Sequence, residues 1–233
     1  MSSYLLRVFR GFKVKVGSRT EDRLLSFLVR ELNRRWDSDV PLEEQVYVAF
    51  DLETTGLHPF GGDRIIALGA ARLENGMITS DFEQLVNPGR GIPPVTAALT
   101  GITDAEVADA PAVEEVLPAF LGFLLQGVPL GFNADFDLSF LNLVLRLFAG
   151  SKIARTAVVD VLTVVQALHP QWEHCLLDDA ARYYGVPLEG RHSARGDAVI
   201  HARLYWSLLP VLAQRGVYTL KDLRGYLYFR SLL

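Results

Sequence analysis

Three stretches of this chain place acids where local structure gives them little reason to be. The first is Asp51-Leu52-Glu53-Thr54-Thr55-Gly56-Leu57. Asp51 ends the apolar run 46–50, which reads as a short buried strand, and acids are unfavourable in a central strand. Two residues apart on a strand, Asp51 and Glu53 point the same way. They repel unless a cation sits between them; a solvated strand edge is the competing reading. The second stretch, Gly131-Phe132-Asn133-Ala134-Asp135-Phe136-Asp137-Leu138-Ser139-Phe140-Leu141, joins a strand to a helix. Asp135 is readable as a helix cap, whereas Asp137 lies among Phe136, Leu138 and Phe140 in the first helical turn. The third is His192-Ser193-Ala194-Arg195-Gly196-Asp197. Five residues along a helix rotate by about 140°, so His192 and Asp197 would not share a face of one. His192 is therefore assigned to the loop after Gly190, able to fold over Asp197 in the early helix; alone, a loop histidine is simply solvated.

Together these stretches offer four carboxylates and one histidine near strand ends and helix starts. Carboxylates and water suit magnesium or manganese, and two such ions can hold the attacking and leaving oxygens of a phosphodiester. A histidine with a near-neutral pKa is suited to deprotonating an attacking water.

The elements that must position these groups can be read from apolar periodicity and turn residues. A helix is expected from Glu21 to Trp36, then a linker from Asp37 to Pro41. Strands are expected over 46–51, Arg64 to Glu74 and Met77 to Val86, with a hairpin turn at Asn75-Gly76. Helices follow at Pro93–Leu99 and Ala112–Leu125, a strand at 129–133, and a helix from Asp135 to Phe148. A short strand is expected at Thr156–Val159, with helices at Leu162–Leu168, Leu176–Tyr184, Ser193–Gln214 and Val217–Leu233. The fold class is α/β: an antiparallel meander, then alternating helices and strands, giving a mixed sheet flanked by helices.

The 233 residues, half of them hydrophobic, can build a substantial core. No apolar run reaches the roughly 18 residues that span a membrane, and no signal-peptide pattern appears. A single cysteine, Cys175, excludes an intramolecular disulfide and a thiolate-rich zinc site and points to a reducing, cytoplasmic setting. A net charge of −4 argues against a protein that coats duplex nucleic acid, but not against an enzyme acting on a strand end.

The three motifs, in this order and spacing, resemble the DEDD exonucleases of the histidine subtype, the family of the proofreading epsilon subunit of bacterial DNA polymerase III, ribonuclease T and oligoribonuclease. The resemblance runs from Tyr47 to Leu212 and includes a softer match at Val86-Asn87-Pro88 and Thr100-Gly101-Ile102-Thr103-Asp104. It implies a ribonuclease-H-like fold and a metal-dependent 3′→5′ exonuclease that uses two divalent cations, Mg2+ or Mn2+. Asp51, Glu53, Asp137 and Asp197 match its metal-binding acids, and His192 its general base. Thr54, Thr55, Gly56 and Leu57 match the segment that reads the 3′ end through backbone and hydroxyl groups, Leu57 wedging against the last base. Phe136 and Phe140 are expected under or beside that pocket, or simply in the core, and Asn133 is expected to order the strand-to-helix turn.

The implied division is a basic arm and helix over 1–42, an exonuclease domain over 43–214 and a helical appendage over 215–233. The expected substrate is the 3′ end of single-stranded DNA, in proofreading or repair. RNA trimming is the alternative, and a non-catalytic nucleic-acid-binding module a third reading. The arm, with Arg7, Arg10, Lys13, Lys15 and Arg19, is a candidate contact for a DNA polymerase or other repair partner, or a plain solvated arm. No clamp-binding segment is evident, which favours a stand-alone or accessory enzyme. Asp160 reads as structural, His169, His174 and His201 as surface or satisfied interior groups, and Cys175 as inert.

Overall fold

The computed structural model describes residues 19–34, 39–172 and 174–230. Its centre is a five-stranded sheet in the order β3-β2-β1-β4-β5. The strands are β1 (Tyr47–Thr54), β2 (Ile65–Glu74), β3 (Met77–Leu85), β4 (Val128–Gly131) and β5 (Val159–Asp160). The helices are α1 (Arg19–Arg34), α2 (Pro94–Thr100), α3 (Asp104–Val107), α4 (Val113–Leu124), α5 (Ala134–Ala149), α6 (Val161–Leu168), α7 (Leu177–Tyr183), α8 (Ala194–Ala213) and α9 (Leu220–Arg230). β1, β2 and β3 form the antiparallel meander, while β4 and β5 add in parallel on the other side of β1. The hairpin between β2 and β3 turns through Asn75 and Gly76, both at positive φ (50° and 78°), the geometry that favours this residue pair.

β1 is buried on both faces, and its alternation decides what each face carries. Val48, Phe50 and Leu52 enter a cluster with Leu117, Phe120 and Leu121 of α4 and Leu138, Leu141 and Leu145 of α5. Tyr47 and Ala49 face the other way, against Tyr205 and Leu208 of α8, the two tyrosine rings meeting edge-on at 4.8 Å. The same alternation directs Asp51 and Glu53 to the α8 face. The apolar side of α1 (Leu25, Leu28, Val29, Leu32) is buried in the α4–α5 cluster. Hydrogen bonds from Ser26 Oγ to Ala149 O (2.9 Å) and from Asn33 Nδ2 to Lys152 O (2.9 Å) fix it there. The basic residues Arg7, Arg10, Lys13 and Lys15, residues 37 and 38 of the 37–41 linker and the end of the C-terminal segment lie outside the described residues.

Several expected boundaries move. β1 runs on to Thr54 because β2 pairs with it as far as Ile65. The strand expected at Thr156–Val159 is only Val159–Asp160, because the chain winds a 3-10 turn over Arg155–Ala157 first. α3 was not anticipated, although Thr103 and Glu106 form a capping box at its start. The last helix begins at Leu220, after Thr219 bridges to Pro41.

α8 meets the sheet at Gly69, the residue paired with Asp51. A Cβ on Gly69 would overlap the backbone of Ala194 and Arg195, so glycine lets the helix start beside the acids. Gly69→Ala is expected to lower stability by about 1–3 kcal/mol, the usual penalty of overpacking. Gly91→Ala, where an added Cβ meets nothing within 4 Å, should be nearly neutral. Urea unfolding midpoints check this, and equal midpoints for the two variants would contradict the packing account.

Candidate active site

β4 pairs with β1 only as far as Ala49. Beyond that point the edge of β1 is open on the parallel side, where ligands gather in α/β sheets. Asp137, in the first turn of α5, fills part of the opening: its Oδ1 accepts a hydrogen bond from Leu52 N at 3.1 Å. Asn133 makes the entry to α5, in the left-handed region at φ 56°, and its N–H is held by Asp160 Oδ1 at 3.0 Å. On the other side, the first turn of α8 delivers Asp197. Asp51, Glu53 and Asp197 each offer a carboxylate oxygen, and the three lie within 4.8 Å of one another. Asp137 stands beside this trio without belonging to it.

The acids strain against one another. Burial raises the Asp51 pKa well above the usual carboxylate value, and Asp137, Asp197 and Glu53 raise it further. Burial, then the charge of Asp197, pushes Glu53 up to about 7. Burial also raises Asp137 and Asp197, and the Arg191 guanidinium opposes the shift at Asp197. Asp197 Oδ1 is buried and finds no hydrogen-bond partner among the described residues. An orphaned carboxylate oxygen beside two further carboxylates fits a hard divalent cation, which takes oxygen ligands.

His192 lies in the loop before α8, at φ 66°, and its N–H donates to Asp197 Oδ2 at 3.2 Å. The preceding Arg191 had not been singled out from sequence. Its Nε donates to Asp178 Oδ1 and its Nη1 to Asp197 Oδ2, both at 2.7 Å. Its place directly before the third motif, next to His192, was the available signal; Asp178 gave none, being one of two acids opening α7. His201 is also at the site. It is buried, its Nδ1 3.2 Å from Phe50 O and its Nε2 3.9 Å from Asp51 Oδ1, and burial lowers its pKa to about 4. Four residues after Asp197 on the same helix, it shares that face.

The segment after β1 is rigidly built. Thr55 Oγ1 donates to Asp63 Oδ1 (3.2 Å) and accepts from Arg64 N (3.0 Å), and Thr54 Oγ1 donates to Gly56 O (2.7 Å). Both hydroxyls are thus engaged within the loop. A Cβ on Gly56 would collide with the Asp63 carboxylate. Thr96 Oγ1 of α2 donates to Thr55 O (3.1 Å), tying the softer-matching region to this segment. Leu57 is 71% exposed. Phe140 is in the core, and the half-buried Phe136 packs on it at 5.3 Å.

Asp135 does not cap α5, which starts one residue before it with Asn133 at the cap position. Its carboxylate instead pairs with Arg155 Nε at 2.7 Å. Asp160 caps α6 through Leu162 N (3.1 Å) and binds Arg155. His169 stacks on Trp172 and meets Tyr184 Oη at 2.6 Å. Burial raises the Cys175 thiol. None of the described helices is long and apolar enough to cross a membrane.

Residues 48–205 match the exonuclease family model designated RNase_T. A DNA polymerase III subunit epsilon-like protein of Rhodobacter capsulatus is 40% identical over 186 residues, covering 78% of this chain and 26% of that protein. The PolC-type DNA polymerase III of Bacillus subtilis is 34% identical over 176 residues, covering 76% of this chain and 12% of that protein. The chain therefore spans about a quarter of the first relative and about an eighth of the second. Among solved structures, exonuclease X in complex with 5′ overhanging duplex DNA superposes with a TM-score of 0.58 at 22% identity, covering 78% of this chain and 99% of that one. The nuclease domain of 3′hExo, a DEDDh family member bound to rAMP, superposes with a TM-score of 0.60 at 19% identity, covering 74% and 95%. These superpositions establish the ribonuclease-H-like fold. With the match over residues 48–205 and the shared sequence across most of its length, the chain belongs to the exonuclease family.

Proposed function

We propose that this chain removes nucleotides one at a time from the 3′ end of single-stranded DNA, with two divalent cations, Mg2+ or Mn2+, and with His192 as general base. The observation that carries this reading is the meeting of Asp51 and Glu53 with the distant Asp197, their carboxylates within 4.8 Å of one another, while Asp197 keeps a buried oxygen without a partner among the described residues. Asp51, Glu53 and Asp197 would hold the cations, with Asp137 completing the set from the open edge of β1. Bound cations supply positive charge to the scissile phosphate and to its attacking and leaving oxygens.

The remaining work falls to the protein. His192 would accept a proton from the attacking water, the part a positioned imidazole plays in general-base catalysis. Water adds to phosphorus, the 3′ oxygen of the preceding nucleotide leaves and regains a proton, and a nucleoside 5′-monophosphate departs. The backbone of Thr54–Leu57 would hold the terminal nucleotide, with the exposed Leu57 against its base. Phe136 lies at the α5 side, over Phe140. The DNA polymerase relatives support DNA over RNA and make a polymerase a fitting partner. In this reading residues 43–214 are the catalytic unit, with 1–42 and 215–233 as its flanks.

Digestion of matched 5′-labelled DNA and RNA oligonucleotides tests the reaction. With Mg2+, a ladder shortening from the 3′ end of the DNA is expected, abolished by chelator and by Asp51→Ala or Asp197→Ala. His192→Ala should lose roughly 10²–10⁴ in turnover while still binding metal. Turnover in excess chelator, or internal cuts in a circular strand, would refute the reading; faster RNA trimming would reassign the substrate.

Glu53 titrates at about 7 in the fold against an ordinary 4.5, so over that window the folded state keeps a proton that the unfolded chain releases. Stability therefore falls as pH rises through it. The raised Asp51, Asp137 and Asp197 act in the same direction. His201, lowered from 6.5 to about 4, acts oppositely between those values, leaving the acids unopposed above 6.5. The metal-free protein should lose thermal stability as pH rises through neutrality, and Mg2+ or Asp51→Asn should flatten the slope. A flat metal-free profile in thermal unfolding scans would contradict this.

A further inference from the structure

The proposed mechanism makes no use of Arg191, yet its guanidinium reaches into the acid cluster. It is half-buried, gripped by Asp178 through Nε, and donates from Nη1 to Asp197 Oδ2. The same Nη1 lies 3.2 Å from His192 Nδ1. A guanidinium only donates hydrogen bonds, so Nδ1 is the accepting nitrogen in this contact and the neutral ring carries its proton on Nε2. One side chain thus engages an oxygen of a proposed metal ligand and the free lone pair of the proposed base.

We propose that Arg191 is a positioning residue that acts as an internal counter-cation. It holds Asp197 and His192 in a resting arrangement, and a divalent cation must displace it from Asp197, with Asp178 retaining the released guanidinium. This rests on the metal-site reading above. A guanidinium and a divalent cation repel at the few-ångström separation a shared carboxylate imposes, so both cannot occupy Asp197 without loss. Displacement would also free His192 Nδ1, coupling cation loading to readiness of the base. Asp178 competes with Asp197 for Arg191, so the two partners have opposite effects. Removing Arg191 removes the competitor, while removing Asp178 leaves Arg191 committed to Asp197.

The test is calorimetric titration of the full chain with Mg2+ alone, beside 15N spectra of the histidine rings. Arg191→Ala should bind Mg2+ about tenfold more tightly than the unaltered protein, and Asp178→Asn more weakly. In the unaltered protein the His192 ring signals should shift from the Nε2-protonated pattern on saturation. In Arg191→Ala that contact is already absent, and the shift should be small. Thermal unfolding of each variant verifies the fold, and Asp178→Asn carries the test if Arg191→Ala does not fold. Equal or weaker Mg2+ binding by Arg191→Ala, tighter binding by Asp178→Asn, or unmoved His192 signals in the unaltered protein overturn the proposal alone. Absence of Mg2+ binding by every form overturns the metal-site reading with it.

Discussion

Carboxylates buried on one face of a central strand repel one another, and that repulsion governs how the rest of this molecule is arranged. β1 must be central to fix Asp51 and Glu53, and the cores on its two faces hold it there. The same burial raises the pKa of each acid. Without a compensating cation, such a cluster lowers stability. The chain meets this partly with its own groups: Leu52 N–H on Asp137, and His192 N–H and Arg191 on Asp197. One oxygen of Asp197 is left for something else.

Close approach is the second requirement. Three carboxylates meet only because α8 can start against the sheet, which Gly69 permits on β2. Gly190 and Gly196 permit the tight loop ahead of the helix: a Cβ on Gly196 would run into the backbone of Gly190. The loop after β1 is fixed by Asp63, which accepts from His58 N and Thr55 Oγ1. These small or polar residues carry no chemistry of their own, yet they set the distances on which the acids depend.

Much of this was legible in the sequence. Asp51 and Glu53 fall two apart at the end of an apolar run, which places both on one face, and the Asn-Gly turn gives the hairpin. The placement of His192 on a loop ahead of Asp197 followed from helical rotation and the preceding Gly190. What was not legible depends on contacts between distant segments. Asp135 and Asn133 both suit a helix start, and only the position of Arg155 shows why Asp135 turns away. Thr54 and Thr55 look available for substrate until Asp63, eight residues beyond Thr55, engages the second hydroxyl. Arg191 gives no sign in the sequence that its partners are Asp178 and Asp197. The short β5 was misplaced because a 3-10 turn and a strand share the same few apolar residues.

The central claim is that Asp51, Glu53 and Asp197 form a cation site at the open edge of β1. The most direct measurement is anomalous scattering from crystals grown with Mn2+. Manganese is expected among these three carboxylates, with Asp197 Oδ1 as a ligand. Manganese bound elsewhere, with the cluster still holding only Arg191, would contradict the account.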